Sequence, residues 1–154
     1  ADRGVKARFL VAGHGPMEHE LRELASELGL SETVRFLGFV SDLEILIEMA
    51  DVVVMPSYAE GLPNVALETF GAARPLVASR VGGLVDLSMI NKEAILLTKP
   101  KNYVDLADKI QTILKDSVLA ERMSLAGRTI LEKQLSTVQV ARRYEETYRK
   151  TCRK

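Results

Sequence analysis

Two glutamates, Glu60 and Glu68, stand eight positions apart in a segment that directly follows a short apolar run, residues 52–55. The run is rich in β-branched residues and is followed by a proline and a serine, a pattern typical of a strand buried on both faces. Pro63 suits the first turn of a helix, and apolar residues follow it at helical spacing. The pattern predicts strand, loop and helix, with Glu60 in the loop and Glu68 about one and a half turns into the helix.

The residue types in this segment indicate binding of a ligand that carries both phosphate and hydroxyl groups. Gly61 leaves the backbone free to approach a ligand, and the first N–H groups of the helix have no partner within it. A helix N-terminus of this kind favours an anion, most often a phosphate. Two carboxylates beside a phosphate are suited to accept hydrogen bonds from hydroxyls, which sugars and ribose supply.

Short apolar strands alternate with amphipathic helices along the chain that positions this segment. The strands are predicted at residues 8–12, 34–39, 52–55, 76–79 and 94–98, and the pattern is helical from about residue 103 to the end. Such alternation implies an α/β fold with a Rossmann-like parallel sheet flanked by helices. In sheets of this kind, ligands bind beyond the carboxyl ends of the strands, where the loop with Glu60 is expected.

Residues 60–68 resemble the E-x7-E signature of the family-4 (group 1) retaining glycosyltransferases, which have the two-domain GT-B fold. The flanking stretches, 50–57 and 75–83, agree with the same family, and the likeness runs from about residue 7 to the end. The resemblance implies that residues 1–154 form a single C-terminal donor-binding domain, half of a GT-B fold with C-terminal helices. The implied activity is retaining transfer of a hexosyl group from a nucleotide-diphospho sugar, linked to UDP, GDP or ADP, to an acceptor.

The resemblance also implies roles for the two glutamates. Glu60 would be the catalytic residue, beside the donor sugar and the reacting centre, whereas Glu68 would accept hydrogen bonds from the ribose hydroxyls. Each has an ordinary alternative, because loop and helix glutamates are commonly just solvated.

The other donor-binding residues implied by the resemblance act largely through their backbones. They are Gly61, Leu62, Pro63 and Asn64 around the sugar and the distal phosphate, and Gly38, Phe39 and Val40 around the base. Leu62 and Asn64 can supply N–H donors, but Pro63 has none. Asn64 can equally be an ordinary first-turn residue, and Phe39 can equally be a core aromatic.

Three further features leave alternatives open. Residues 13–15, Gly-His-Gly, are a weak phosphate signal, and a structural turn is favoured there. Asp86 follows the glycine pair 82–83 where the family more often has Glu; it either serves the site or is a carboxylate favoured by a helix dipole. Arg74 stands where the family usually has Gly, so a positive φ at that position would add strain of about 1 kcal/mol or more.

The overall composition limits the partners. The chain has 154 residues, 47% of them hydrophobic, which suits one folded domain. Because 21 basic residues balance 21 acidic ones, we expect neither nucleic-acid binding nor membrane contact. Cys152 is alone, no apolar run could span a membrane and no signal peptide opens the chain, so we expect a cytoplasmic protein. No metal or other cofactor is expected.

In the resembled family, the domain opens with one more strand and helix, which carry its basic diphosphate-binding residues. Residues 1–6 resemble only the tail of that helix. If the strand is absent, we expect a gap or re-pairing in the sheet and self-association through exposed edges. The acceptor-binding N-terminal domain is also expected to be a missing partner, so the isolated chain should be inactive. The alternative function is a non-catalytic nucleotide-binding or inert scaffold fragment; the base, sugar and acceptor are not identified by the sequence.

Overall fold

The computed structural model describes residues 7–152, in which strands and helices alternate. The strands are β1 (Phe9–Ala12), β2 (Val34–Gly38), β3 (Val53–Met55), β4 (Leu76–Ser79) and β5 (Ile95–Thr98). Each lies within one residue of its predicted bounds. The helices are α1 (Glu18–Glu27), α2 (Leu43–Met49), α3 (Asn64–Gly71), α4 (Gly82–Ile90), α5 (Tyr103–Lys115), α6 (Ser117–Ile130) and α7 (Thr137–Thr151), with a π-helical segment, Leu131–Leu135, before α7. The helix tail predicted at residues 1–6 lies outside the described residues.

All strand pairs are parallel, but the described strands form two sheets rather than one. β1 pairs with β2, and β3, β4 and β5 form a second sheet in that order. The chain divides accordingly into two compact units, Ala1–Leu43 and Glu44–Lys154. The predicted α/β class with parallel strands and flanking helices is confirmed. A single domain over residues 1–154 stays a prediction.

The second unit is built around β4, whose four residues are all buried. A central parallel strand is covered by helices on both faces, so its side chains alternate between two cores. One core contains Leu76 and Ala78 with Phe70 of α3 and Leu84 of α4. The other contains Val77 with residues of α5 and α6. This packing holds the N-termini of α3 and α4 at the carboxyl edge of the second sheet.

Helix α3 ends in a Schellman motif, which corrects one expectation about strain. The Ala73 N–H donates to the Phe70 carbonyl at 3.1 Å, and the Arg74 N–H donates to the Thr69 carbonyl at 3.0 Å. The residue with positive φ is Ala73, at 50°, and not Arg74. The strain of about 1 kcal/mol therefore falls on the alanine.

The first unit buries few of its apolar side chains. All four residues of β1 are exposed, and in α1 only Ala25 is buried among the described residues. Arg22 of α1 lies over the Phe36 ring, 4.8 Å from its centroid, and its guanidinium pairs with Glu18 at 2.7 Å. Within residues 7–152, no helix has the length and apolar character that crossing a membrane requires.

Candidate functional site

The loop with the first predicted glutamate leaves the carboxyl end of β3, as the fold rule requires. Glu60 lies in this loop and is half-buried, and Glu68 is exposed on α3. The Ser57 hydroxyl donates a hydrogen bond of 2.6 Å to Oε1 of Glu60. Because a carboxylate has room for about four hydrogen bonds, Glu60 can still accept from a ligand while Ser57 holds its position.

The N-terminus of α3 presents backbone donors at the end of this loop. Pro63 is the N-cap residue, one position earlier than predicted, and Asn64 opens the helix. No side chain among the described residues caps this end. The Ala66 N–H donates to the Pro63 carbonyl at 3.1 Å. The Asn64 and Val65 N–H groups have no partner within the helix and can meet an anion, and the helix dipole favours negative charge there.

The glycine pair that opens α4 packs against the backbone of the same loop. A Cβ added to Gly82 would lie 1.7 Å from the Glu60 carbonyl oxygen, and one added to Gly83 would lie 2.3 Å from the Gly61 carbonyl oxygen. The Gly83 N–H donates to the Gly61 carbonyl at 2.9 Å. Gly61 differs, because a Cβ added there meets no atom of the described residues within 4 Å.

A cleft of about 480 Å³ lies between this loop and α4. Its polar side chains are the carboxylates of Glu60 and Asp86, and its apolar wall is formed by Leu87, Ile90 and Leu135. Two carboxylates beside an apolar wall suit a ring that has hydroxyls at its edge and C–H groups on its face. Within the described part of the chain, three or more His, Cys, Asp or Glu side chains do not converge to form a metal site.

The structure brings together only some of the predicted site residues. Glu60, Gly61 and Leu62 line the cleft with the glycine pair, and so does Asp86, for which two interpretations were open. The cleft lining does not include Pro63, the N-cap residue of α3, or Asn64, its first residue. It also does not include Glu68, which is exposed further along that helix.

The predicted base-binding residues belong to the first unit. Gly38 ends β2, and its carbonyl accepts a hydrogen bond of 2.7 Å from the Gly13 N–H. This contact gives residues 13–15 a structural role, as favoured from the sequence. Phe39 is 78% exposed and Val40 is half-buried, so Phe39 is not a core aromatic. Their role in a base pocket stays a prediction.

Sequence reasoning missed Ser57 and the apolar wall of the cleft. A small hydroxyl residue three positions before Glu60 is a signal that could have indicated a positioning hydrogen bond. Leu135 gave no such signal, because it lies more than seventy residues from Glu60 and reaches the cleft only through the packing of the π-helical segment.

The parallel strands, the flanking helices and the cleft beyond the strand ends define half of a GT-B fold. The chain belongs to the group 1 glycosyl transferases, because the sequence pattern of that family matches residues 1–130. It is 39% identical over 112 residues to an uncharacterized glycosyltransferase of Methanocaldococcus jannaschii, covering 71% of this chain and 28% of that protein.

Solved structures of two proteins show the same similarity. Sucrose-phosphate synthase from Thermosynechococcus elongatus superposes with a TM-score of 0.80 at 30% identity, over 92% of this chain and 38% of that one. HepE from Anabaena in complex with UDP gives 0.86 at 25% identity, over 94% and 41% of the two chains, and its complex with UDP-glucose gives 0.83. The chain therefore spans well under half the length of these relatives.

Proposed function

We propose that this chain forms the nucleotide-sugar-binding side of a family-4 retaining glycosyltransferase that transfers a hexosyl group to an acceptor. The observation that carries the proposal is the position of the loop 60–63, which ends at the uncapped N-terminus of α3 and lines the cleft through Glu60. Backbone donors, a carboxylate and an apolar wall thus occur side by side. Each element suits one part of a nucleotide-diphospho sugar.

The diphosphate fits the N-terminus of α3. Leu62 and Asn64 can donate their N–H groups there, and the positive end of the helix dipole attracts the anion. During transfer, the leaving nucleotide diphosphate accumulates negative charge. N–H donors fixed in place stabilise this charge and thereby lower the barrier. The proposal includes no metal ion or other cofactor.

The sugar fits the cleft. Its volume of about 480 Å³ lies within the usual range of small-molecule sites. Glu60 and Asp86 would accept hydrogen bonds from sugar hydroxyls, and the apolar wall would pack against the C–H face of the ring. Glu60, held by Ser57, would also place negative charge near the reacting carbon, where positive charge develops in glycosyl transfer.

The nucleoside would extend towards Glu68, which is exposed on α3 and free to accept hydrogen bonds from ribose. A role of the loop Gly38–Val40 in binding the base stays a prediction. HepE was solved with UDP and with UDP-glucose, and this likeness favours a uridine nucleotide over the GDP and ADP alternatives. Transfer also needs an acceptor site. We propose that this site is supplied by a segment corresponding to the part of the relatives that this chain does not match. The chain alone would then bind the donor without turnover. We propose a cytoplasmic location for the protein.

A nucleotide titration tests the proposal directly. UDP, GDP and ADP are added separately to the chain and followed by heteronuclear NMR, and the series is repeated on Glu68→Ala. One nucleotide should shift resonances clustered at residues 60–68, and the variant should bind it about tenfold or more weakly, since a hydrogen bond to a charged group is worth about 1.5–3 kcal/mol.

Glu121→Ala is the matched control, because Glu121 is an exposed helix glutamate on α6. It should leave the affinity unchanged. A well-dispersed spectrum that responds to none of the three nucleotides would contradict donor binding by this chain. Equal weakening in the two glutamate variants would remove the specific role of Glu68.

A further inference from the structure

We propose that Gly82 and Gly83 are positioning residues that fix the direction of the Leu62 N–H, one of the donors for the diphosphate. This inference rests on the proposed function and identifies the part of α4 that holds the site. A glycine pair beside a phosphate site is usually interpreted as room for the ligand. Here the two glycines make room for the protein's own backbone.

The first step of the argument is steric. Added Cβ atoms would lie 1.7 Å from the Glu60 carbonyl oxygen and 2.3 Å from the Gly61 carbonyl oxygen, and both are backbone atoms that cannot swing aside like a side-chain end. Gly82 also has φ of +41°, which L-residues rarely adopt. The loop can therefore lie in its present place only because both positions are glycine.

The second step concerns the peptide between Gly61 and Leu62. Its carbonyl accepts the Gly83 N–H at 2.9 Å, and the described residues contain no cis peptide. In a trans peptide, the C=O and the N–H point in opposite directions. Fixing the Gly61 carbonyl towards α4 therefore turns the Leu62 N–H away from it, and no described residue accepts that hydrogen.

The third step is electrostatic. No side chain among residues 7–152 caps α4, so the Gly61 carbonyl takes this role at the positive end of the helix dipole. A hydrogen bond to the carbonyl polarises the peptide and strengthens the N–H on its other side as a donor. The contact thus both orients the Leu62 N–H and makes it a better partner for an anion.

The test needs a change that removes the contact without unfolding the chain. Gly83→Ala adds the clashing Cβ. Replacing Gly83 with glycolic acid, which turns the amide into an ester, deletes the N–H donor and adds no atom. Gly71→Ala is the matched control, because among residues 7–152 its Cβ would meet only the end of the Leu131 side chain, at 3.4 Å.

Two readouts separate this inference from the proposed function. The residual dipolar coupling of the Leu62 N–H reports its direction in the ligand-free chain. It should match the structure in the wild type and in Gly71→Ala, and fall towards zero in the ester variant. The affinity for UDP should drop about tenfold or more in the ester and Gly83→Ala variants and stay unchanged in the control.

Every outcome is decisive. A coupling that the ester leaves unchanged overturns the inference, and so does an affinity for UDP that stays the same when the coupling is lost. A wild-type chain that binds none of UDP, GDP and ADP overturns the proposed function and with it the role in binding. The coupling would in that case still show whether the glycine pair orders the loop.

Discussion

Replacing Gly61 with alanine would show whether the fold or a ligand requires glycine at this position. A Cβ at Gly61 meets no atom within 4 Å, and Gly61 is not among the glycines with positive φ in the described residues. Alanine also restricts the unfolded chain, which stabilises a compatible position by about 0.4–1 kcal/mol. We therefore expect Gly61→Ala to leave the free energy of unfolding unchanged or to raise it by up to about 1 kcal/mol.

The same substitution should weaken ligand binding. In the proposed complex, the backbone at Gly61 lies against the sugar and the distal phosphate, so the added methyl group would occupy space that the ligand needs. Forcing one extra carbon into a packed contact costs about 1–3 kcal/mol. The dissociation constant for UDP-glucose should rise about 5- to 150-fold.

Urea unfolding measures the first effect, and titration with UDP-glucose measures the second. Gly71→Ala serves again as the control, because alanine restricts the unfolded chain by about 0.4–1 kcal/mol in the same way and the position, at the end of α3, lies outside the cleft lining. It should gain stability and keep its affinity. A loss of more than about 1 kcal/mol in Gly61→Ala would refute the steric reasoning, and an unchanged affinity for UDP-glucose would refute the proposed approach of the ligand.

Two further predictions concern stability and charge. Ala73→Gly should raise the free energy of unfolding by up to about 1 kcal/mol. The substitution removes the strain at φ of 50°, and the greater freedom of the unfolded chain offsets part of this gain. Chemical denaturation measures the free energy of unfolding, and a decrease would contradict the Schellman geometry. The pKa of Asp105 is lowered from its ordinary value, first by the side-chain hydrogen bond from Lys109 and then by the positive charge of Lys109. This pair therefore stabilises the fold above the unfolded pKa of the carboxyl, and the contribution is lost as pH falls through the folded pKa. Carbon-detected NMR titration should find this pKa rising towards the ordinary value in Lys109→Ala, and no rise would exclude Lys109 as the cause.

The strands could be predicted from the sequence because their signals are local. Each is a short apolar run between turn residues, and each predicted range lies within one residue of the observed strand. The position of Glu60 followed from the same logic, since a loop after a parallel strand must lie at its carboxyl end. The division into two sheets was expected only as one of two outcomes, because a local pattern does not say which strand a neighbour pairs with.

The contacts within the site could not be predicted, because they join segments that are distant along the chain. The sequence of the pair Gly82-Gly83 does not indicate whether the pair contacts a ligand or another backbone segment. The distances from added Cβ atoms to the carbonyl oxygens of Glu60 and Gly61 distinguish the two cases. Leu135 likewise reaches the cleft through the packing of α6 and the π-helical segment. The sequence predicted where the loop with Glu60 lies but not what holds that loop in place.

The glycines of the site have two different roles, one on the side of the loop that faces α4 and one at Gly61. On the side of α4, Gly82 and Gly83 bring two backbone segments into contact, and a hydrogen bond joins them. At Gly61, the added atom would enter open space. A loop that is fixed on one side and open on the other can keep its N–H donors aligned before a ligand arrives, so little ordering is left to oppose binding. Substitutions at 82 and 83 should therefore disturb the loop with or without ligand, whereas substitution at 61 should weaken binding and leave the ligand-free loop in place.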